Sequence, residues 1–312
     1  MMNAAVTTSV APQIRDWYWR GWKVRYWVIA PLQPQIPSQP PILLLHGFGA
    51  SLEQWRSNYA ALAAERSVYA IDLLGFGASQ KAATTFSVDL WSEQVRDFCR
   101  LCIGCPVVLM GHSLGALISL NLAVVDADII DRLVLLTLPA AREELLTTGW
   151  LEVTARTLER IFATPLLIRP LFQLVRQTPI IRRTLQGLYQ SQDLVDTALV
   201  EQFVRPTRDR GAARTLCYLV RSRTEIQFTP ATQTLMQQLQ VPTLLLWGDL
   251  DKVIPLSWGN RLAPLNTCVD FVVIPNVGHF LYEDAAVTIN QQILAWLAEA
   301  RGSHHLELES SC

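Results

Sequence analysis

The chain of 312 residues has little charge, little histidine and no long apolar run, and each scarcity narrows what it can be. Only 17% of its residues are charged and the formal net charge is −1, so nothing in the overall balance recruits nucleic acid. No run reaches 18 apolar residues, so no membrane-spanning helix is expected. The first 13 residues have neither a basic start nor a long apolar stretch, and no secretory signal is expected there. Cys217, Cys268 and Cys312 are isolated, which argues against a disulfide framework and for a reducing, cytoplasmic setting. Cys99, Cys102 and Cys105 form C-x2-C-x2-C, but the first two fall on one amphipathic helix and no fourth ligand stands nearby. They read as free core thiols, and no metal or cofactor is expected. His304 and His305 lie in the polar stretch Gly302–Cys312 and read as solvated.

What is present is hydrophobic residue, at half of the chain, enough to bury a large core. Asp16–Arg20 and Lys23–Ala30 flank Gly21-Trp22 and suggest a hairpin. Residues 31–41, rich in Pro and Gln, read as a loop. Apolar strand runs follow at Ile42–Leu45, Val68–Ile71, Val107–Met110, Leu133–Thr137, Thr243–Trp247 and Phe271–Ile274. Helical patterns lie near 55–65, 88–103, 114–126 and 284–300. The alternation predicts an α/β fold with a mostly parallel, doubly wound sheet covered on both faces.

The spacing breaks once, between the sixth strand and the seventh. Residues 141–235 carry helices punctuated by Pro165, Pro170, Pro179, Pro206 and Pro230; Trp150–Ala163 puts Leu151, Ala155, Leu158 and Phe162 on one face. A helical cap over 141–235 is therefore expected on a core of 14–140 and 236–301, with 1–13 and 302–312 as flexible ends. The cap is also where positive charge gathers, 13 Arg against 9 Asp and Glu.

Gly111-His112-Ser113-Leu114-Gly115 fits G-x-S-x-G between the strand at Val107 and the helix at Ala116. A strand that turns sharply into a helix strains the serine backbone, and small residues on both sides let the chain pass. Ser113 is thus the candidate nucleophile, with helix capping as its plainer role. A serine hydroxyl needs a base, and the base an orienting acid, from loops past the C-terminal ends of strands. Two of the five histidines lie at the C-terminal end, His46 belongs to a glycine loop and His112 to the turn itself, which leaves His279. Asp249 and Asp251, after the strand Thr243–Trp247, compete as the acid. His46-Gly47-Phe48-Gly49 leaves the strand Ile42–Leu45, where the N–H groups of Phe48 and Leu114 could hold an oxyanion. His46, Gly47, Phe48, His112 and Phe280 are the candidate substrate contacts. Asp72 reads as structural, and Glu143 and Glu144 as cap surface.

Together Ser113, the aspartate pair, His279 and HGFG resemble the α/β-hydrolase fold family, over about Asp16–Arg301. The resemblance implies the order Ser…Asp…His, and its G-x-x-D-x-x-x-P pattern falls on Gly248, Asp251 and Pro255, which favours Asp251. The serine sets the chain apart from dehalogenases and epoxide hydrolases of the fold, whose elbow carries an aspartate. The resemblance implies a cofactor-free hydrolase acting on a small-molecule ester, or by the same triad a thioesterase, carbon–carbon hydrolase or haloperoxidase. A receptor that keeps the triad without turnover is the reading from another class. Phe86-Ser87-Val88-Asp89-Leu90-Trp91, Gln94–Phe98 and Pro255–Gly259 are similar to pheophytinases and chlorophyll dephytylases, which implies a phytyl ester of a chlorophyll-type pigment. His46 and His112 depart from that narrower pattern, which has Pro and Asn there. In the cap, Leu166–Ile168, Leu171-Phe172 and Ile180-Ile181 alternate with Arg169, Arg176, Arg182 and Arg183. They suit either a lipophilic entrance beside an anionic membrane or a cap packed on its core with solvated arginines.

Overall fold

The computed structural model describes residues 11–33, 39–145, 165–223 and 225–309. Eight strands form one sheet: β1 (Gln13–Trp19), β2 (Trp22–Ile29), β3 (Ile42–Leu45), β4 (Val68–Ile71), β5 (Val107–His112), β6 (Ile130–Leu136), β7 (Thr243–Gly248) and β8 (Val269–Ile274). Their order is β1-β2-β4-β3-β5-β6-β7-β8; β2 pairs antiparallel with both β1 and β4, and the pairs among β3–β8 are all parallel. The expected α/β class and the expected insertion between the sixth and seventh strands are both present.

Central strands buried on both faces explain the unbroken apolar runs. Leu43, Leu45, Leu109, Leu133 and Leu135 enter one core cluster, while Ile42, Leu44, Val108, Met110 and Val134 enter the other. That is the two-residue period of a strand writing two separate cores from one sequence. The helices α1 (Tyr59–Leu62), α2 (Val88–Phe98) and α3 (Leu114–Val125) flank this half of the sheet. Ser87 caps α2 by accepting the Leu90 N–H, and α2 runs on through a wider turn, Cys99–Ile103, to Gly104 at φ 82°.

Several boundaries differ from the sequence reading: β1 starts at Gln13 rather than Asp16, β6 at Ile130 rather than Leu133 and β8 at Val269 rather than Phe271. The hairpin turns at Arg20-Gly21, one residue early, because φ is positive at both (51° and 81°), as a two-residue turn of that hand requires. The helix expected near 55–65 is split into a 3-10 turn at Leu52–Trp55 and the short α1. The last helix continues to Glu309, through a stretch with one glycine and no proline that had been expected to fray.

The inserted segment supplies α4 (Arg142–Leu145), α5 (Pro165–Val175), α6 (Thr178–Leu188), α7 (Thr197–Val204), α8 (Ala212–Arg223) and α9 (Thr232–Gln238). The helix expected over Trp150–Ala163 lies outside the described residues. Glu144 is not a surface carboxylate: it accepts the N–H groups of Ala141, Thr232 and Gln233, at 2.7, 3.0 and 2.7 Å. One side chain therefore ties the cap's entry to its exit. The chain ends with α10 (Leu256–Leu262), α11 (Leu281–Asp284) and α12 (Ala286–Glu309).

Candidate active site

The elbow between β5 and α3 is dictated by crowding. A Cβ on Gly111 would stand 2.3 Å from the Gly115 carbonyl oxygen, and one on Gly115 would stand 2.4 Å from that of Leu45. Glycine is required at both places so that β5, α3 and the end of β3 can meet. Ser113 pays with φ 52°, a left-handed conformation that a non-glycine residue rarely adopts. Although Ser113 stands at the N-cap of α3, its side chain makes no capping hydrogen bond. Among the described residues its hydroxyl has no partner at all, on α3 or on His279. The plainer role of the serine, helix capping, is thus not the one its side chain fills.

The loops after β7 and β8 bring Asp251 to His279. Their contact is a 2.8 Å hydrogen bond from His279 Nδ1 to Asp251 Oδ2, between two buried side chains. The other carboxylate oxygen of Asp251 accepts the N–H groups of Val253 and Ile254, at 2.7 and 2.9 Å. With the ring donating from Nδ1, Nε2 is left with its lone pair. Asp249 takes no part; it accepts the Val277 N–H at 3.3 Å and ties the β7 loop to the β8 loop.

His112 joins the two halves. Its Nε2 lies 3.0 Å from the His279 carbonyl oxygen, and the two rings are 4.7 Å apart. Because a carbonyl only accepts, Nε2 must carry the proton. Burial, then the neighbouring His279, hold His112 well below the usual histidine range, so the ring is neutral. The residue before the serine thus carries the backbone of the residue expected to be the base.

The glycine loop meets the elbow from β3, which pairs Leu45 with Gly111. A Cβ on Gly47 would stand 2.9 Å from His112 Nδ1. His46 is fully buried; its Nδ1 donates to the Gly47 carbonyl at 2.7 Å and its Nε2 accepts the Leu73 N–H at 3.1 Å. Burial pushes its pKa down to about 4. Gln54 Oε1 accepts the Gly47 N–H at 3.0 Å. The N–H groups of Phe48 and Leu114 have no acceptor among the described residues. They remain available at the two places where donors were expected.

Of the five candidate substrate contacts, only Phe48 presents an exposed side chain, at 43%. It sits edge-on to Phe76 and beneath the Arg223 guanidinium of α8. His46 and His112 are spent on bracing, and Gly47 is buried between them. Phe280 is covered by the cap: Tyr189 stacks on it at 4.5 Å. Tyr189 gave no sequence signal. Its hydroxyl donates to the buried Glu283 at 2.7 Å, and Arg56 bonds the other oxygen of that carboxylate. An acidic residue four positions after His279, in an apolar stretch, was the one available hint. Asp72 is structural as expected; it accepts the Leu52 and Ala78 N–H groups, each at 2.7 Å. A cleft of about 310 Å³ opens beside it, between Arg25 and Glu53 of the core and Arg205 and Asp209 of the cap, and Ser113 is not on its wall.

The family model for the alpha/beta hydrolase fold matches residues 40–286. The chain belongs to the α/β-hydrolase fold family. Among curated relatives of this family, it is 29% identical over 264 residues to the dihydrolipoyllysine-residue acetyltransferase component of an acetoin cleaving system from Pseudomonas putida, covering 82% of this chain and 63% of that protein. It therefore spans less than two thirds of that relative's length. The hydrolase YugF of Bacillus subtilis (strain 168) is 26% identical, with 83% of this chain and 90% of YugF covered. A membrane phospholipase A described as a bacterial virulence factor superposes with a TM-score of 0.74 at 23% identity, over 93% of this chain and 87% of its own, which is a likeness of fold. The residues behind the narrower, pheophytinase-like pattern are occupied in packing. Trp91 stacks on Phe86 and donates to the Leu74 carbonyl, Gln94 accepts the Leu74 N–H, and Gly259 lies against Trp247. Among the described residues no helix is long and apolar enough to cross a membrane.

Proposed function

We propose that the protein is a serine hydrolase that cleaves a carboxylic ester through an acyl-enzyme. The observation that carries this reading is the buried Asp251–His279 hydrogen bond, with the His279 backbone tied to His112, the residue before a strained serine whose side chain makes no capping hydrogen bond. His279 Nε2 takes the Ser113 proton as Oγ attacks the ester carbonyl. The oxyanion is received by the N–H groups of Phe48 and Leu114, the latter at the positive end of α3. Asp251 holds the imidazole in the tautomer that can accept, and balances its charge once protonated. The imidazolium then protonates the leaving alcohol, and water releases the acyl group by the same route in reverse.

A lipophilic ester suits this site best. The exposed phenyl ring of Phe48, backed by Phe76, lies beside the oxyanion donors and favours apolar chains over charged ones. A long-chain isoprenoid ester is the substrate class put forward, with the phytyl ester of a chlorophyll-type pigment as its sharpest form. Wild type and Ser113→Ala should be assayed on p-nitrophenyl esters from acetate to palmitate, and on chlorophyll and pheophytin. Turnover should rise with chain length and fall by about 10³-fold or more in the variant. Full activity in Ser113→Ala overturns the mechanism, and activity confined to short esters overturns the lipophilic substrate.

A further inference from the structure

The core fastens His279 from one side and the cap from the other. On the core side Asp251 holds its ring, His112 holds its carbonyl, and Asp249 and Leu250 hold Val277 before it. The residues flanking it, Gly278 and Phe280, both meet the cap. At Gly278 the chain leaving α6 comes close: a Cβ there would stand 3.1 Å from Gln190 Nε2 and 3.3 Å from the Leu188 carbonyl oxygen. Tyr189 stacks on Phe280, with ring centres 4.5 Å apart and planes 27° apart, and the Phe280 ring stands edge-on to the His279 imidazole at 5.5 Å.

Two adjacent acids of α11 keep this part of the cap in place. Glu283, buried and bonded by Arg56 of the core, accepts the Tyr189 hydroxyl at 2.7 Å. Asp284 accepts the N–H groups of Gln190 and Ser191, both at 3.2 Å. The Gly278 N–H helps hold the same Asp284 carboxylate in its charged form. One side chain thus gathers backbone from the cap and from the residue before His279. The cap is also tied to the core elsewhere: Thr215 donates to the Ala82 carbonyl, Ser222 accepts the Phe86 N–H, and Asp209 pairs with Lys81. Its attachment therefore does not depend on residues 188–191 alone, whereas their contacts converge on the loop of His279. A general base works only within hydrogen-bond reach of the proton it takes, and an error of about 1 Å costs about 10²-fold in rate. A loop with glycine beside the base is poorly able to hold that reach by itself.

We propose that cap residues 188–191, held by Asp284, act as positioning residues for His279, keeping its loop seated so that Nε2 stays within reach of Ser113. This role rests on the ester-hydrolase reading. Tyr189→Ala removes the stack, Asp284→Ala releases the two N–H groups, and Tyr189→Phe keeps the stack but loses the hydroxyl. Each should be assayed on p-nitrophenyl butyrate, whose acyl chain is short, below the unfolding temperature of every variant. In both alanine variants kcat should fall by about tenfold or more while KM stays within about threefold. Tyr189→Phe should keep kcat within about threefold of wild type although it unfolds more easily. A contact that only stabilised the fold would leave kcat unchanged in all three. Amide hydrogen exchange over residues 276–284 should be about tenfold faster in both alanine variants, a readout that needs no turnover. Should Asp284→Ala not fold, Asp284→Asn, which sets an NH2 against one of those N–H groups, should lower kcat by about threefold or more. Wild-type kcat in the folded variants, a loss confined to KM, or unchanged exchange overturns the proposal. Full activity in Ser113→Ala removes the ester-hydrolase reading and this role together. An inactive Ser113→Ala beside fully active Tyr189→Ala and Asp284→Ala removes this role alone.

Discussion

At Gly115 one added carbon would stand 2.4 Å from the Leu45 carbonyl oxygen and 2.7 Å from that of His46. Both obstacles are backbone, so Gly115→Ala must move either α3 or the glycine loop. It should cost about 3 kcal/mol in urea unfolding, or leave the protein insoluble. His46 makes a different kind of prediction. Burial holds its pKa near 4, against an ordinary 6.5, so the unfolded chain takes up a proton that the folded chain refuses. The folded pKa is depressed, and the contribution of this group is whole above about pH 6.5 and declines as pH falls toward 4. The acid limb of the wild-type stability curve should therefore be steeper than that of His46→Gln, by at most about 3 kcal/mol across that window. Ser113 and His279 were legible because the turn has a fixed pattern and histidine is scarce. Asp251 needed the resemblance, since spacing alone left Asp249 open; the hydrogen bond to His279 separates them. The bracing roles of His46 and His112 were not legible, because a sequence does not say which way a ring nitrogen points.

Among the elements, the link between cap and core is the least expected part. The chain leaving α6 places Tyr189 on Phe280 and its hydroxyl on Glu283, and the next two N–H groups, of Gln190 and Ser191, bond Asp284. Burial raises the Asp284 carboxyl above its usual range. The cap and the loop that carries His279 are thus joined through one short helix, α11. Tyr189→Phe would keep the stacking and remove one of the two partners of a buried carboxylate. Unfolding measurements should show a loss of about 1–3 kcal/mol, well above that expected of an exposed tyrosine. All eight strands were read in place, β3 and β4 to the residue and the others to within three at an end, since a buried parallel strand is a short run of Leu, Ile and Val and little else. Helix limits were poorer where an end depends on a turn type, as at the 3-10 segment Leu52–Trp55. Glu144 looked like surface because its three N–H partners come from Ala141 and from residues 88 and 89 positions away.

For the whole molecule, the sheet does the positioning. β3, β5, β7 and β8 deliver the glycine loop, the serine, the aspartate and the histidine to one edge, and hydrophobic alternation into two cores fixes their register. That much follows from pattern alone. The cap does not, because its helices pack on each other and on the core through contacts with no fixed spacing. The substrate's identity rests there. The proposed reaction rests on one atom, Ser113 Oγ, and a fluorophosphonate probe followed by peptide mass spectrometry tests it directly. A single adduct on Ser113, absent from Ser113→Ala and slowed by about 10³-fold in His279→Ala, is the predicted result. Ester hydrolysis with no adduct at Ser113, or an adduct on another residue, would contradict the account.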